Sequence, residues 1–153
     1  MTAAVEPLYD IDFCMWAESI AERLRAGDLD GLDLENIAEE IESLGKSEYR
    51  GITTSLKVLI VHILKWDYQK RKRSESWVST IGNRRIEIEG YLEMSPSLER
   101  KVRAAVPKAY GRAAREAAAE TNLPRKAFPG ECPYTWQEIL EREFRIEEEE
   151  DPA

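Results

Sequence analysis

The chain has 153 residues, 42% of them apolar and 34% charged, with a formal net charge of −8. That length suits one domain with a core of its own, without metal or disulfide staples. Two cysteines, Cys14 and Cys132, with no CxxC pair and no cysteine–histidine cluster, exclude a disulfide scaffold and point to free thiols in a reducing cytoplasm.

The first residues lack the basic-then-apolar pattern of a signal peptide. The longest apolar run, Val58 to Val61, is far short of the ~20 residues of a membrane span. A cytoplasmic chain with no membrane partner is expected. The charge is unevenly spread. Residues 1–48 carry three basic and thirteen acidic side chains, residues 49–112 fourteen and six, and residues 113–153 five and eleven. A basic middle between acidic ends reads either as acidic helices lying beside basic ones or as a basic face kept for an anionic partner. The overall acidity favours the first.

Residues 1–9 read as a loose lead-in. A first helix starts near Asp10 or Asp12, either of which can cap it, and Phe13, Trp16, Ile20 and Leu24 recur at helical spacing up to Gly27. A second helix begins after Asp33. Leu34, Ile37, Ile41 and Leu44 form its apolar stripe, Gly45 ends it, and Ser47 caps the next. The third helix, from about Glu48 to Tyr68, is apolar on nearly every side and is the predicted central element. It runs out into Lys70-Arg71-Lys72-Arg73.

A fourth helix starts near Ser74 or Ser76 and runs to about Met94, with Trp77, Ile81, Ile88 and Leu92 on one face. Ser95 as cap and Pro96 as first helical residue predict a fifth helix, which Pro107 should kink or divide near Val106. Its alanines at 105, 109, 113 and 117 would allow close packing. Asn122-Leu123-Pro124 and Phe128-Pro129-Gly130 mark a loop. Thr135 and Glu138 then make a capping box for a short helix through Phe144. The expectation is an all-α, irregular bundle of five or six helices around a central apolar helix. It forms a single helical domain over residues 8–146, followed by a disordered acidic tail at 147–153.

Four stretches carry a family resemblance: YDIDFCMWAESIAERLRAGDLDGLDLENIAEEIESLGKSEYR, VLIVHILKWDYQ, SESWVSTIGNRRIEIEGYLEMSPSL and AAAETNLPRKAFPGECPYTWQEIL. In order and spacing they resemble the bacterial domain-of-unknown-function family number 29 over about residues 8–145. The resemblance implies an all-helical fold and brings no biochemical activity with it. Gly82-Asn83-Arg84 depart from the residues common at that place in the family.

The residues with chemical potential are few. His62 is the sole histidine, one turn before Trp66. Satisfaction by a carboxylate or carbonyl in a packed interface is expected ahead of metal binding or base catalysis with Glu39 and Glu42. Glu39, Glu40 and Glu42 are expected to pair with Lys65, Arg84 and Arg85. Lys65, Trp66, Tyr68, the cations at 70–73, Trp77 and Arg85 interleave charge with aromatic rings, the nearest approach to a nucleic-acid signal. No GxGxxG or GxxxxGK string occurs, and no nucleophile elbow surrounds Ser76, Ser79 or Thr80. No catalytic residue, cofactor or metal is assigned. His62, Glu39, Glu42, Lys65, Trp66, Trp77 and Arg85 are the candidates for any site. The leading reading is a non-catalytic protein-interaction or regulatory module that binds a protein partner or itself. Nucleic-acid binding through residues 65–85 comes second, and a metal- or carboxylate-based enzyme using His62 with Glu39 or Glu42 comes third.

Overall fold

The computed structural model describes residues 8–148. Among them are six α-helices and no strand: α1 (Leu8–Ile11), α2 (Phe13–Arg25), α3 (Leu34–Tyr68), α4 (Glu75–Met94), α5 (Leu98–Thr121) and α6 (Trp136–Glu141). The chain separates into two compact units, Met1–Gly45 and Lys46–Ala153. No helix among the described residues is long and apolar enough to cross a membrane.

The smaller unit begins earlier than the sequence suggests, because Leu8 and Tyr9 already belong to the one-turn α1. Asp12 caps α2 as expected, its carboxylate accepting from the Met15 N–H at 3.0 Å. Gly27 and Gly31 take the positive φ values that bring the chain from α2 to α3. Tyr9, Phe13 and Trp16 form an aromatic cluster, with the Tyr9 and Trp16 ring centres 4.8 Å apart. Trp16 and Leu32 are the buried apolar residues here. The expected stripe on the second helix is not buried: Leu34, Ile41 and Leu44 are 70%, 62% and 70% exposed.

The predicted break at Gly45 and Ser47 is absent, and α3 is one helix of 35 residues. A glycine stop needs the left-handed conformation. Gly45 does not adopt it, since the positive-φ glycines are Gly27 and Gly31. Glycine costs about 1 kcal/mol inside a helix. Glutamate, leucine and lysine on either side restore that loss, and no proline intervenes.

In the larger unit the face of α3 from Ile52 to Trp66 is the centre of the core, as the sequence predicts. Ile81 and Ile88 of α4, Val102, Tyr110 and Ala113 of α5, and Ile139 of α6 pack around it. Together they make an irregular helical bundle. Buried Ser55 donates to Glu87 Oε2 at 2.6 Å, so its hydroxyl enters the core satisfied. Ser74 caps α4, its hydroxyl accepting from the Trp77 N–H.

Helix α5 starts two residues later than predicted. Ser95 terminates α4 instead, and its carbonyl accepts from Leu98 in a turn built on Pro96. Pro107 does not divide α5. It lies on the exposed side, where water can satisfy the carbonyl it leaves unbonded. Buried Val102 before it and Ala109 and Tyr110 after it hold both halves to the core. Asn122, at φ +57°, ends the helix.

The capping box of Thr135 and Glu138 is present. The last helix stops at Glu141 rather than Phe144, because its final carbonyls are taken. The Arg85 guanidinium donates to the carbonyls of Ile139 (2.9 Å), Arg142 (2.7 Å) and Glu138 (3.2 Å). The chain then turns so that Arg142 clasps Asp67 at 2.7 and 2.9 Å, and Tyr134 donates to the same carboxylate at 2.7 Å. Phe144 is buried edge-on against Trp66. Residues 147 and 148 carry no helix, and the rest of the expected tail, 149–153, lies outside the described residues.

Burial pushes the Asp67 carboxyl up, but hydrogen bonds from Arg142 and Tyr134 outweigh it and hold the group below its ordinary value. Its contribution to stability is therefore complete above about pH 4 and is lost as pH falls through the folded-state value. Asp67→Asn is expected to cost about 1–3 kcal/mol at neutral pH, toward the low end because solvent reaches the pair. Denaturant titrations on both proteins should show that gap narrowing below about pH 4. A gap that stays constant into acid would remove the clasp from the stability of the fold. Two leucines of α3 give a second check. Leu56→Ala, at a fully buried site, should cost about 2–5 kcal/mol. Leu44→Ala, at an exposed one, should be neutral or slightly stabilising through helix propensity. Equal losses at both positions would contradict the exposure of the 34–44 stripe.

Candidate functional site

Helical spacing concentrates charge where α3 and α5 run beside each other. On α5, Lys108, Arg112 and Arg115 recur at four- and three-residue steps and share one face. On α3, Arg50 and Lys57 lie two turns apart on a common face, with Thr53 and Thr54 between them. The five cations line one groove of about 660 Å³, which Ala105 and Ala109 also line. Tyr49 and Glu116 complete the lining.

The groove contains one acid, and that acid is engaged. Glu116 Oε2 pairs with Lys57 Nζ at 2.7 Å. Arg50, Lys108, Arg112 and Arg115 make no ion pair among the described residues. A further cation stands beside them, Lys101, with its Nζ 5.4 Å over the Tyr49 ring. Concave surfaces lined by one sign of charge focus the field and concentrate counter-ions. The lining offers hydrogen-bond donors and positive charge.

The family model described as "Domain of unknown function DUF29" matches residues 8–145. The chain belongs to the DUF29 family. No curated protein and no solved structure matches it.

In this DUF29 chain two of the residues nominated from sequence meet, Lys65 and Trp77. His62 is half-buried and its Nδ1 donates to the Val58 carbonyl at 2.9 Å, one turn back on the same helix. Glu39 and Glu42 are exposed on the α3 stretch of the smaller unit. Glu40 accepts from the Tyr9 hydroxyl at 2.5 Å, and that bond first, then partial burial, raises the tyrosine to about 12. Among the described residues no group of three or more histidine, cysteine or acidic side chains is placed to hold a metal ion.

The expected network between the α3 acids and Lys65, Arg84 and Arg85 is replaced by pairings inside the larger unit. Lys65 pairs with Glu120 at 3.1 Å and lies 5.0 Å over the half-buried Trp77 ring. Arg84 pairs with Glu87 at 3.0 Å. Arg85 caps α6. Trp66 is buried, with the Arg73 guanidinium 4.5 Å over its ring and the Arg73 Nε donating to its carbonyl. Lys70, Arg71 and Lys72 form an exposed 3₁₀ turn after α3. Cys14 is exposed, and burial pushes the half-buried Cys132 thiol up.

Arg50, Lys57, Lys108, Arg112 and Arg115 belong to no motif that singles them out in the sequence. The i, i+4, i+7 spacing on the fifth helix was the available signal, but it does not say which helix faces that stripe. Unpaired like charges repel by a few tenths of a kcal/mol per close pair. Arg112→Gln is therefore expected to leave the melting temperature equal or higher at low salt, with the difference shrinking at high salt. A drop of several degrees in differential scanning fluorimetry would show that Arg112 holds the fold together.

Proposed function

We propose that this DUF29 chain is a non-catalytic protein-interaction module of the cytoplasm, and that its partner docks on the smaller unit. The supporting observation is where uncovered apolar side chains collect. Among the described residues, eight of the twelve exposed large hydrophobics fall between Ile11 and Leu44, including Phe13, Met15, Leu29, Leu34, Ile41 and Leu44. Exposed apolar groups gathered in one region mark association surfaces, whereas isolated ones need no explanation. Acids alternate with this stripe on α3, at Glu35, Glu39 and Glu42. The surface thus suits a protein that offers an apolar face rimmed by lysine and arginine.

The test is the double variant Ile41→Ser, Leu44→Ser. Both side chains are exposed, so its melting temperature should stay close to that of the wild type. Affinity capture from native lysate should retain a defined protein on the wild type, and the variant should weaken that capture by about tenfold or more. Sedimentation velocity on the purified protein distinguishes a different partner from a second copy. Unchanged capture by a folded variant, or retention of nucleic acid in place of protein, would overturn the reading.

A further inference from the structure

We propose that the groove between α3 and α5 is a binding site for a compact polyphosphorylated small molecule, distinct from the apolar surface of the smaller unit. Seven of the 22 bases make an ion pair among the described residues, so what sets this groove apart is that its free cations share one concavity. Four cations there have no carboxylate partner among the described residues. The self-repulsion of that arrangement is relieved by any anion that enters it.

The donor set favours phosphate. Arg50, Arg112 and Arg115 each carry a planar guanidinium whose paired N–H groups match the oxygens of a phosphate. Lys108 supplies a point charge, and the Thr54 hydroxyl is free to donate among the described residues. Thr53 is not available, since its hydroxyl already donates to the Tyr49 carbonyl at 2.9 Å. A dense cluster of charge calls for a ligand with several phosphoryl groups close together.

Size and surroundings favour a compact ligand over a polymer. The groove volume of about 660 Å³ falls in the range of small-molecule sites. At physiological salt the field of the cluster extends about 8 Å. A small polyanion sits wholly within that distance. A nucleic-acid strand extends beyond it, over a chain whose net charge is −8. The one aromatic ring in the lining is Tyr49, with Lys101 over one face, and a single ring falls short of a platform for successive stacked bases.

The experiment is isothermal titration calorimetry of the full chain with inorganic tripolyphosphate at physiological salt. Parallel arms use citrate, an oligoglutamate peptide, and single- and double-stranded oligonucleotides. The test variant is Arg112→Gln, Arg115→Gln, which removes two exposed cations and no core contact. The control variant is Lys70→Gln, Arg71→Gln, on the exposed turn after α3. Tripolyphosphate should bind saturably near one equivalent and raise the melting temperature of the wild type. The test variant should weaken that binding by about tenfold or more while the control stays within about twofold. Absence of saturable binding overturns the proposal, as does equal weakening in both variants. Tighter binding of citrate or oligoglutamate reassigns the groove to carboxylate ligands. Tighter binding of an oligonucleotide, with affinity falling steeply with salt, reassigns it to nucleic acid. None of these outcomes depends on the apolar surface, so this proposal and the protein-interaction reading stand or fall separately.

Discussion

Between Ile52 and Trp66, α3 is apolar on most sides, and water has to be kept from those sides together, while Thr53, Thr54 and Lys57 face the groove. One neighbouring helix covers only a stripe of such a surface. Helices α4, α5 and α6 each bring a stripe of their own, and Ile81, Ile88, Val102, Tyr110, Ala113 and Ile139 close the core around it. Each fully buried leucine or isoleucine contributes on the order of 1.5–3 kcal/mol. Several are completely buried along this one stretch, so it outweighs any single polar contact in the unit.

Polar groups near that core are arranged so that none of the named ones enters unsatisfied. Ser55 reaches Glu87, Tyr110 reaches the Pro129 carbonyl, and Asp67 receives both Arg142 and Tyr134. The last of these fastens the C-terminal segment, which has a helix of only six residues and would not be stable alone. Arg85 serves the same segment from α4 by taking the carbonyls at its end. A stretch near the chain terminus is thereby held by two guanidinium groups and one buried phenylalanine.

The groove follows from the same packing. Once the apolar faces of α3 and α5 turn inward, their remaining faces meet at a shared edge, and the cations there have to accept each other's company. Repulsion of a few tenths of a kcal/mol per pair is small beside the burial beneath it. The fold can therefore hold a locally positive surface within a strongly acidic chain. The smaller unit has no comparable core. With Trp16 and Leu32 as its buried apolar residues among those described, it leaves most of its described apolar side chains in water.

Local signals were legible in the sequence because each is complete within a few residues. The caps, narrowed to Asp10 or Asp12 and to Ser74 or Ser76, the capping box of Thr135 and Glu138, the loop beginning at Asn122 and the central place of residues 52–66 all belong to this class. The family, too, was legible from motif order. Where local signals competed, cooperative structure prevailed: Gly45 read as a stop and Pro107 as a kink or a division, yet both lie inside continuous helices. The destinations of long charged side chains were not legible. Lys65 reaches Glu120, Arg85 reaches α6 and Lys57 reaches Glu116, over separations of more than fifty residues. Charge spacing along one helix names the residues of a face. Which helix lies opposite is decided by how apolar surfaces far apart in the chain are buried together, and only the tertiary structure contains that answer.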